Sequence, residues 1–429
     1  MSEHYQESEN LLARALQVIP LGTQTFSKSK TQYPFGVSPY FLTKGFGSHV
    51  WDVDGNEYID FINGLAAITL GYNDPDVTAA VHAQIEEGVI FSLPHPLEIQ
   101  VAEKLIAMVP CAEMVRFGKN GSDATTGAIR LARAYTGRDH IVVCGYHGWH
   151  DWYIGSTTRN LGVPKSVQAL THTFKYNDLD SLHQIFEQYP DDVAAIIMEP
   201  MNVVPPEAGF LESVKELVHQ NRALLIFDET ITGFRFANGG AQEYFGITPD
   251  LATFGKGLAN GYPLSAIAGR GDIMQMMEEI FFSFTFGGET LSLAAALATM
   301  TKLQKLPVVE ALRTQGQKIL LRIQQLIEEQ SISHLISIAG YPCWSFLLFK
   351  DVHPYSQWEI KTLFLQEMFA RGILTLGTHN MSYSHSDIDI EELLSVYRQV
   401  FLMLKDVILG HNLEEYLKCQ PLEPLFKIR

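Results

Sequence analysis

Apolar positions along this chain follow two rhythms that alternate. Continuous apolar runs of strand length at residues 140–144, 193–198, 224–227, 251–254 and 264–268 predict strands buried on both faces. Around them the apolar residues recur at helical spacing. Leu11, Leu12, Ala15, Leu16 and Ile19 mark a lead helix over 8–19, which Pro20 and Gly22 end. Ala128, Ile129, Leu131 and Ala132 mark another after a small-residue turn, and further helices are expected over 211–220, 291–303, 309–330, 360–370 and 388–404. Residues 50–61 alternate around Asp54-Gly55 and predict a hairpin. Residues 64–72 then lead to the turn Asn73-Asp74-Pro75 and a helix through Ile85, and 341–349 predicts a late strand. Buried strands separated by helices predict an α/β fold with a mostly parallel sheet.

Composition narrows the class of partner. The chain has 429 residues, 46% hydrophobic and 18% charged, enough for one large core and a second, smaller one. A net charge of −17 would be repelled by nucleic acid and by anionic membrane, so neither is expected as a partner. The start, Met1-Ser2-Glu3-His4-Tyr5-Gln6-Glu7, is polar and acidic where a signal peptide needs a basic start and an apolar stretch. Cys111, Cys144, Cys343 and Cys419 are far apart and lack metal-binding spacing, which fits reduced thiols in a cytoplasmic protein. His147 and His150 have no third ligand in view, so no metal is expected.

Two strand ends carry the candidate chemistry. The run Leu224-Leu225-Ile226-Phe227 delivers Asp228, and Leu251-Ala252-Thr253-Phe254 delivers Lys256 between Gly255 and Gly257. The interval, 256 − 228 = 28 residues, suits a strand, a crossover and a neighbouring strand. The flanking glycines strip bulk from around the amine, and desolvation there would lower its pKa toward a usable nucleophile. A Lys that forms a Schiff base and an Asp that pairs with a pyridinium nitrogen are what pyridoxal 5'-phosphate (PLP) asks of a protein. The turn Asn120-Gly121-Ser122-Asp123, between a short strand and a helix, offers backbone N–H groups to an anion.

The stretch Phe227-Asp228-Glu229-Thr230-Ile231-Thr232-Gly233-Phe234-Arg235, with Thr248-Pro249-Asp250 and Phe254-Gly255-Lys256-Gly257, resembles the signature of the class III PLP-dependent aminotransferases. The nearest likeness is to the glutamate-1-semialdehyde 2,1-aminomutase branch, from about Gly45 into the C-terminal region. The resemblance implies PLP-dependent transferase fold type I. A large domain over 64–306 would hold a mostly parallel seven-stranded sheet between helices. A smaller α+β domain would combine both chain ends, 1–63 and 307–429.

It also implies roles. Lys256 and Asp228 would be catalytic, with Gly121, Ser122, Tyr146, His147 and Glu199 around the cofactor and Thr285 crossing a homodimer interface to the partner's phosphate. Tyr146 would stack on the ring or serve as core filler. Glu199, after the strand 193–198, would be either a structural acceptor or a pocket residue. Thr285 has the alternative of a buried strand position. Thr25 and Lys28, in a polar loop that could equally be a surface loop, stand where the aminomutases carry a Ser and a carboxylate-gripping Arg. Arg235 is the candidate for an amino donor's carboxylate, with glutamate the expected donor. Gly377 stands where the aminomutases carry an acidic residue, and His379 and Asn380 are neutral hydrogen-bonding groups nearby. Lys cannot reproduce the paired bonds of Arg to a carboxylate. The two departures therefore point to a keto or aldehyde group on a sugar-like or polyol acceptor. The aminomutase activity itself, and a non-catalytic PLP-fold scaffold, are the alternatives.

Overall fold

A computed structural model describes residues 3–424, so Met1, Ser2 and the last five residues of the expected C-terminal part lie outside the described residues. The described chain divides into two compact units. One comprises 67–69 and 75–309, the other 3–66, 70–74 and 310–424.

The larger unit is built on a seven-stranded sheet. Its strands in chain order are β1 (Met114–Gly118), β2 (His140–Cys144), β3 (Thr171–Thr173), β4 (Val193–Met198), β5 (Leu224–Asp228), β6 (Leu251–Phe254) and β7 (Ser265–Gly269). Their order across the sheet is β1-β7-β6-β5-β4-β2-β3. β3, β2, β4, β5 and β6 run parallel, and β7 is antiparallel to both β6 and β1. The apolar runs have a physical cause. Ile141 and Val143 pack with Ala124, Ala128 and Leu131 of the helix Gly121–Thr136 on one face. Val142 and Cys144 pack with Phe186, Val214 and Val218 on the other. With both faces covered, a strand cannot alternate apolar with polar residues and must be apolar throughout. β5 and β6 are adjacent, with Asp228 beside Thr253, so both chains leave the sheet at one edge.

The smaller unit holds two sheets. Leu42–Phe46, His49–Asp52, Glu57–Asp60 and Ile373–Leu374 form one, and its central hairpin is the one expected around Asp54-Gly55. Ile336–Tyr341, Trp344–Phe349 and Thr378–Asn380 form the other. Two expectations are corrected here. The single strand over 341–349 is the second arm of a hairpin that turns at Pro342-Cys343, and the first arm escaped notice because its apolar alternation is short and ends at Gly340. The polar stretch 378–385, expected from its composition to be a loop, begins as a strand, since Thr378–Asn380 pairs with Trp344, Ser345 and Phe346. The helices Pro96–Met108 and Leu179–Gln188 fall outside the predicted elements. Among the described residues, no helix is long and apolar enough to cross a membrane, and all four cysteines are free.

His379 is therefore an interior residue. It is 0% exposed, with Nδ1 2.9 Å from Ser345 Oγ and Nε2 2.7 Å from Tyr397 OH. Burial, with His385 adding to it, pushes the ring down to about 3 from its usual 6.5. The unfolded chain binds a proton at this ring below pH 6.5 and the folded chain does not, so stability is full above that pH and falls as pH drops toward 3. Denaturant unfolding followed at pH 7 and pH 5 should show the smaller unit losing about 2 kcal/mol from this one group. His379→Gln should flatten that slope, and an unchanged slope would remove His379 from the account.

Candidate active site

The carboxyl edge of the large sheet gathers most of the expected cofactor residues. Asp228 ends β5 and is 4% exposed. Its Oδ2 lies 2.8 Å from His147 Nδ1, and its Oδ1 accepts from Thr230 N at 3.1 Å and from Thr253 Oγ1 at 3.2 Å. Burial pushes this carboxyl upward, but the bond and charge of His147 and the backbone bond from Thr230 outweigh it and hold Asp228 below the usual range. The Nε2 of His147 lies 3.2 Å from the Cys144 carbonyl. Both partners of this imidazole are acceptors, so it satisfies both only when it carries two protons.

Lys256 follows β6 with φ +40, a conformation that favours glycine and costs a lysine of order 1 kcal/mol. Its neighbours keep the space around it open. A Cβ on Gly257 would sit 2.6 Å from Thr69 Oγ1, and one on Gly255 would sit 3.4 Å from Thr230 Cγ2 and 3.7 Å from Gly121 Cα. The lysine turn therefore rests against the anion turn. Burial lowers the Lys256 pKa, Glu199 and Asp228 raise it, and the Arg235 charge lowers it; the net direction is down.

The helix Gly121–Thr136 starts where the anion site was expected. Asp123 Oδ2 takes the N–H groups of Asn120 at 2.7 Å and Lys119 at 3.2 Å, while those of Gly121 and Ser122 meet no acceptor among the described residues. The loop after β2 packs on this turn. Thr125 Oγ1 donates to the His147 carbonyl at 2.9 Å, Trp149 N donates to Ser122 Oγ at 3.4 Å, and a Cβ on Gly148 would fall 2.3 Å from that hydroxyl. Tyr146, on the same loop, is 52% exposed with its ring edge-on to Tyr153. Glu199, directly after β4, is buried and accepts from Tyr146 N at 3.3 Å and Asn202 Nδ2 at 2.5 Å.

The other expected residues sit differently. Thr285 lies in an irregular, exposed stretch and not in a strand. Glu289, at the end of that stretch, caps the helix Thr290–Lys305 and pairs with Lys119 at 2.9 Å. Arg235 is 1% exposed, so it acts on the site as a buried charge and not as an open clamp. Thr25, Lys28, His379 and Asn380 belong to the smaller unit. Thr25 precedes the single turn Phe26–Lys28, and Lys28 is exposed there with its charge acting on the buried Asp60. Asn380 is buried, its Nδ2 donates to the Ile62 carbonyl at 2.7 Å, and its Oδ1 has no partner among the described residues.

The sequence reading missed the groups that hold the named ones. Thr230 and Thr253 orient Asp228, and Asn260 Oδ1 accepts from Thr69 N at 2.9 Å beside Gly257. Asn260 has φ +45, and the pair Asn260-Gly261 was the available signal, because Asn followed by Gly favours left-handed backbone.

These residues fit PLP. The open N–H groups at Gly121 and Ser122 suit a phosphate, Asp228 a protonated ring nitrogen, and the Lys256 amine an aldehyde. The buried Thr230 Oγ1 next to Gly121 is without a partner among the described residues, as expected of a cradle wall that awaits a ligand.

The sequence profile of the family Aminotransferase class-III matches residues 32–384. The chain belongs to the class III aminotransferases. The 3-aminobutyryl-CoA aminotransferase of Cloacimonas acidaminovorans is 36% identical, over 94% of this chain and 98% of that protein. A glutamate-1-semialdehyde 2,1-aminomutase of an Exiguobacterium species is also 36% identical, over 95% of this chain and 99% of its own length. Among solved structures, the PLP-containing FumI protein of a Sphingopyxis species matches with a TM-score of 0.88 at 27% identity, over 97% of this chain and 99% of that one.

As a class III aminotransferase the protein uses PLP and transfers an amino group between small molecules. Bound PLP supplies an electrophilic carbon for amines and a ring that accepts electrons. Around it, Lys256 would hold the reactive carbon and then move a proton with its Nζ, while Asp228 would keep the ring nitrogen protonated. Asp228→Asn should lower the rate of amino transfer at least about 100-fold by removing that charge. Asp228→Glu should recover part of the loss. Steady-state kinetics with an unfolding midpoint for each variant checks this, and an Asn variant of normal rate would contradict the assignment.

Proposed function

We propose that this enzyme moves an amino group from glutamate to a keto or aldehyde group of a sugar-like or polyol acceptor, in the making of a surface polysaccharide or an aminoglycoside. The observation that carries the reading is Lys28. It stands where the aminomutases are expected to carry Arg, and it is an exposed point charge at the end of a single turn. A substrate carboxylate would meet a single point charge there in place of the paired bonds of Arg, whereas a hydroxyl-rich acceptor needs no such pair. Gly377, with φ +81, adds no side chain where the aminomutases are expected to carry an acid.

Two readings stand beside it because two relatives at 36% identity carry other names. One is an acceptor whose oxo group lies in an acyl thioester, the other the internal amino shift on glutamate semialdehyde. Single-turnover mixing of the enzyme, loaded with its aminated cofactor, against oxo sugars, a 3-oxoacyl-CoA and glutamate semialdehyde separates the three. The spectrum should return fastest with an oxo sugar, by about tenfold or more over the thioester, which corresponds to about 1.4 kcal/mol. Rapid formation of 5-aminolevulinate from glutamate semialdehyde would overturn the sugar reading.

We also propose a homodimer with shared active sites. Thr285 is exposed on a stretch where Phe281 is 83% and Phe286 56% exposed, large apolar side chains that a partner subunit would cover. Phe281→Asp should shift the sedimentation of the protein from dimer toward monomer and weaken phosphate-dependent PLP binding. A variant that sediments as wild type would count against this face.

A further inference from the structure

The strand, turn and helix that present the open Gly121 and Ser122 N–H groups also hold, through three cations, the stretch 281–289 that carries Thr285. Arg130, on the helix Gly121–Thr136, donates from Nη1 to the Phe281 carbonyl at 2.9 Å. Arg116, on β1, donates from Nη2 to the Phe282 carbonyl at 3.1 Å. Lys119, between β1 and the turn, pairs with Glu289 at 2.9 Å. Aromatic packing follows the same route. A Cβ on Gly127 would lie 2.7 Å from Phe282 Cε2, and one on Gly118 would lie 3.5 Å from Phe284 Cζ. Between these ties Ser283, Phe284, Thr285 and Phe286 are exposed, and their N–H groups meet no acceptor among the described residues.

The ion pair is the stiffest of these ties. Its two side chains are only 15% and 13% exposed, and each end is fixed by its own backbone. The N–H groups of Lys119 and Asn120 share Asp123 Oδ2 at the start of the helix, two residues before Gly121. Glu289 Oε1 accepts from Leu291 N at 2.7 Å, and Oε2 from Ser292 N at 3.2 Å and Ser292 Oγ at 2.7 Å. Burial pushes the Glu289 carboxyl up, but the bonds from Ser292 and Lys119 outweigh it and hold it below the usual range. A surface pair contributes little because it must immobilise two long side chains in water, a cost that anchored and half-buried partners largely avoid.

We propose that Lys119 is a positioning residue whose pair with Glu289 acts as a strut, so that a phosphate group seated on the Gly121 and Ser122 N–H groups also fixes the backbone that carries Thr285. This inference rests on the reading of that turn as the phosphate site of PLP. Coupling of this kind is reciprocal: the order that the phosphate confers on the stretch returns as tighter binding of the phosphate. In the homodimer proposed above, loading one site would thereby set Thr285 for the partner subunit.

The test is hydrogen–deuterium exchange of the full chain stripped of PLP, read on peptides that cover 281–289, with inorganic phosphate and PLP as separate probes. Either probe should slow exchange there about fivefold or more in the wild type, and neither should in Lys119→Met. Lys302→Met, which breaks the pair with Asp76 on the same helix Thr290–Lys305, should behave as wild type. Titration reads the reverse direction: Lys119→Met should weaken PLP at least about fivefold and leave pyridoxal, which lacks the phosphate, within about twofold of wild type. Glu289→Gln separates a strut from a simple charge. Removing a negative charge beside a phosphate should tighten PLP, whereas losing the strut should weaken it. The double variant should bind PLP no worse than Lys119→Met alone. Slowed exchange that survives in Lys119→Met, or tighter PLP in Glu289→Gln, would overturn the strut. Slowing by phosphate in a chain that takes up no PLP would overturn the cofactor assignment and leave the strut in place. Uptake of PLP with unchanged exchange over 281–289 would do the reverse.

Discussion

One buried carboxylate governs this site. Asp228 sits at an edge where burial alone would neutralise it, and it stays ionised because His147 holds one oxygen while Thr230 and Thr253 hold the other. Removing any of these would leave a buried charge short of partners, a change that commonly costs several kcal/mol. The arrangement also fixes geometry. The parallel register of β5 with β6 sets Asp228 beside Thr253, three residues before Lys256, so acid and amine reach the same edge from adjacent strands.

The backbone around these groups is held in conformations that a free chain avoids. Lys256 and Asn260 both have positive φ, and Gly257 is required by its close approach to Thr69. Glu229, next to Asp228, anchors the following loop by accepting from Thr232 Oγ1 at 2.6 Å, Ala241 N at 2.6 Å and Gln242 N at 2.9 Å. The smaller unit has its own strained element. Asn63, Gly64, Leu65 and Ala66 form a left-handed turn with φ between +48 and +65, pinned by Asp60 Oδ1, which takes the N–H groups of Ile62 at 2.6 Å and Asn63 at 3.0 Å. Strain of this kind persists only where neighbouring bonds over-determine it, and it collects at sites whose geometry matters.

Much of this was legible in the sequence, and the reason is burial. A strand covered on both faces has to be a continuous apolar run, so β2, β4, β5, β6 and β7 announced themselves, and the charged residue that ends such a run marks the edge. Helices with one buried stripe were legible for the same reason. What escaped notice depends on tertiary partners. The hairpin arm Ile336–Tyr341 is only partly buried, the turn at Asn63 contains a single glycine, and the threonines that orient Asp228 look like any strand residue. His379 and Lys28 looked alike as polar groups in polar stretches. One is locked between Ser345 and Tyr397, and the other stands in solvent within reach of the Asp60 field.

With the cofactor bound, the Lys256 amine and the Asp228 carboxylate would address opposite ends of one heterocycle. Borohydride reduction of the PLP-loaded protein, followed by proteolysis and mass spectrometry of the peptides, tests it most directly. A phosphopyridoxyl group is expected on the peptide that contains Lys256 and on no other lysine. Label on a different lysine, or full label on a Lys256→Ala chain, would contradict it.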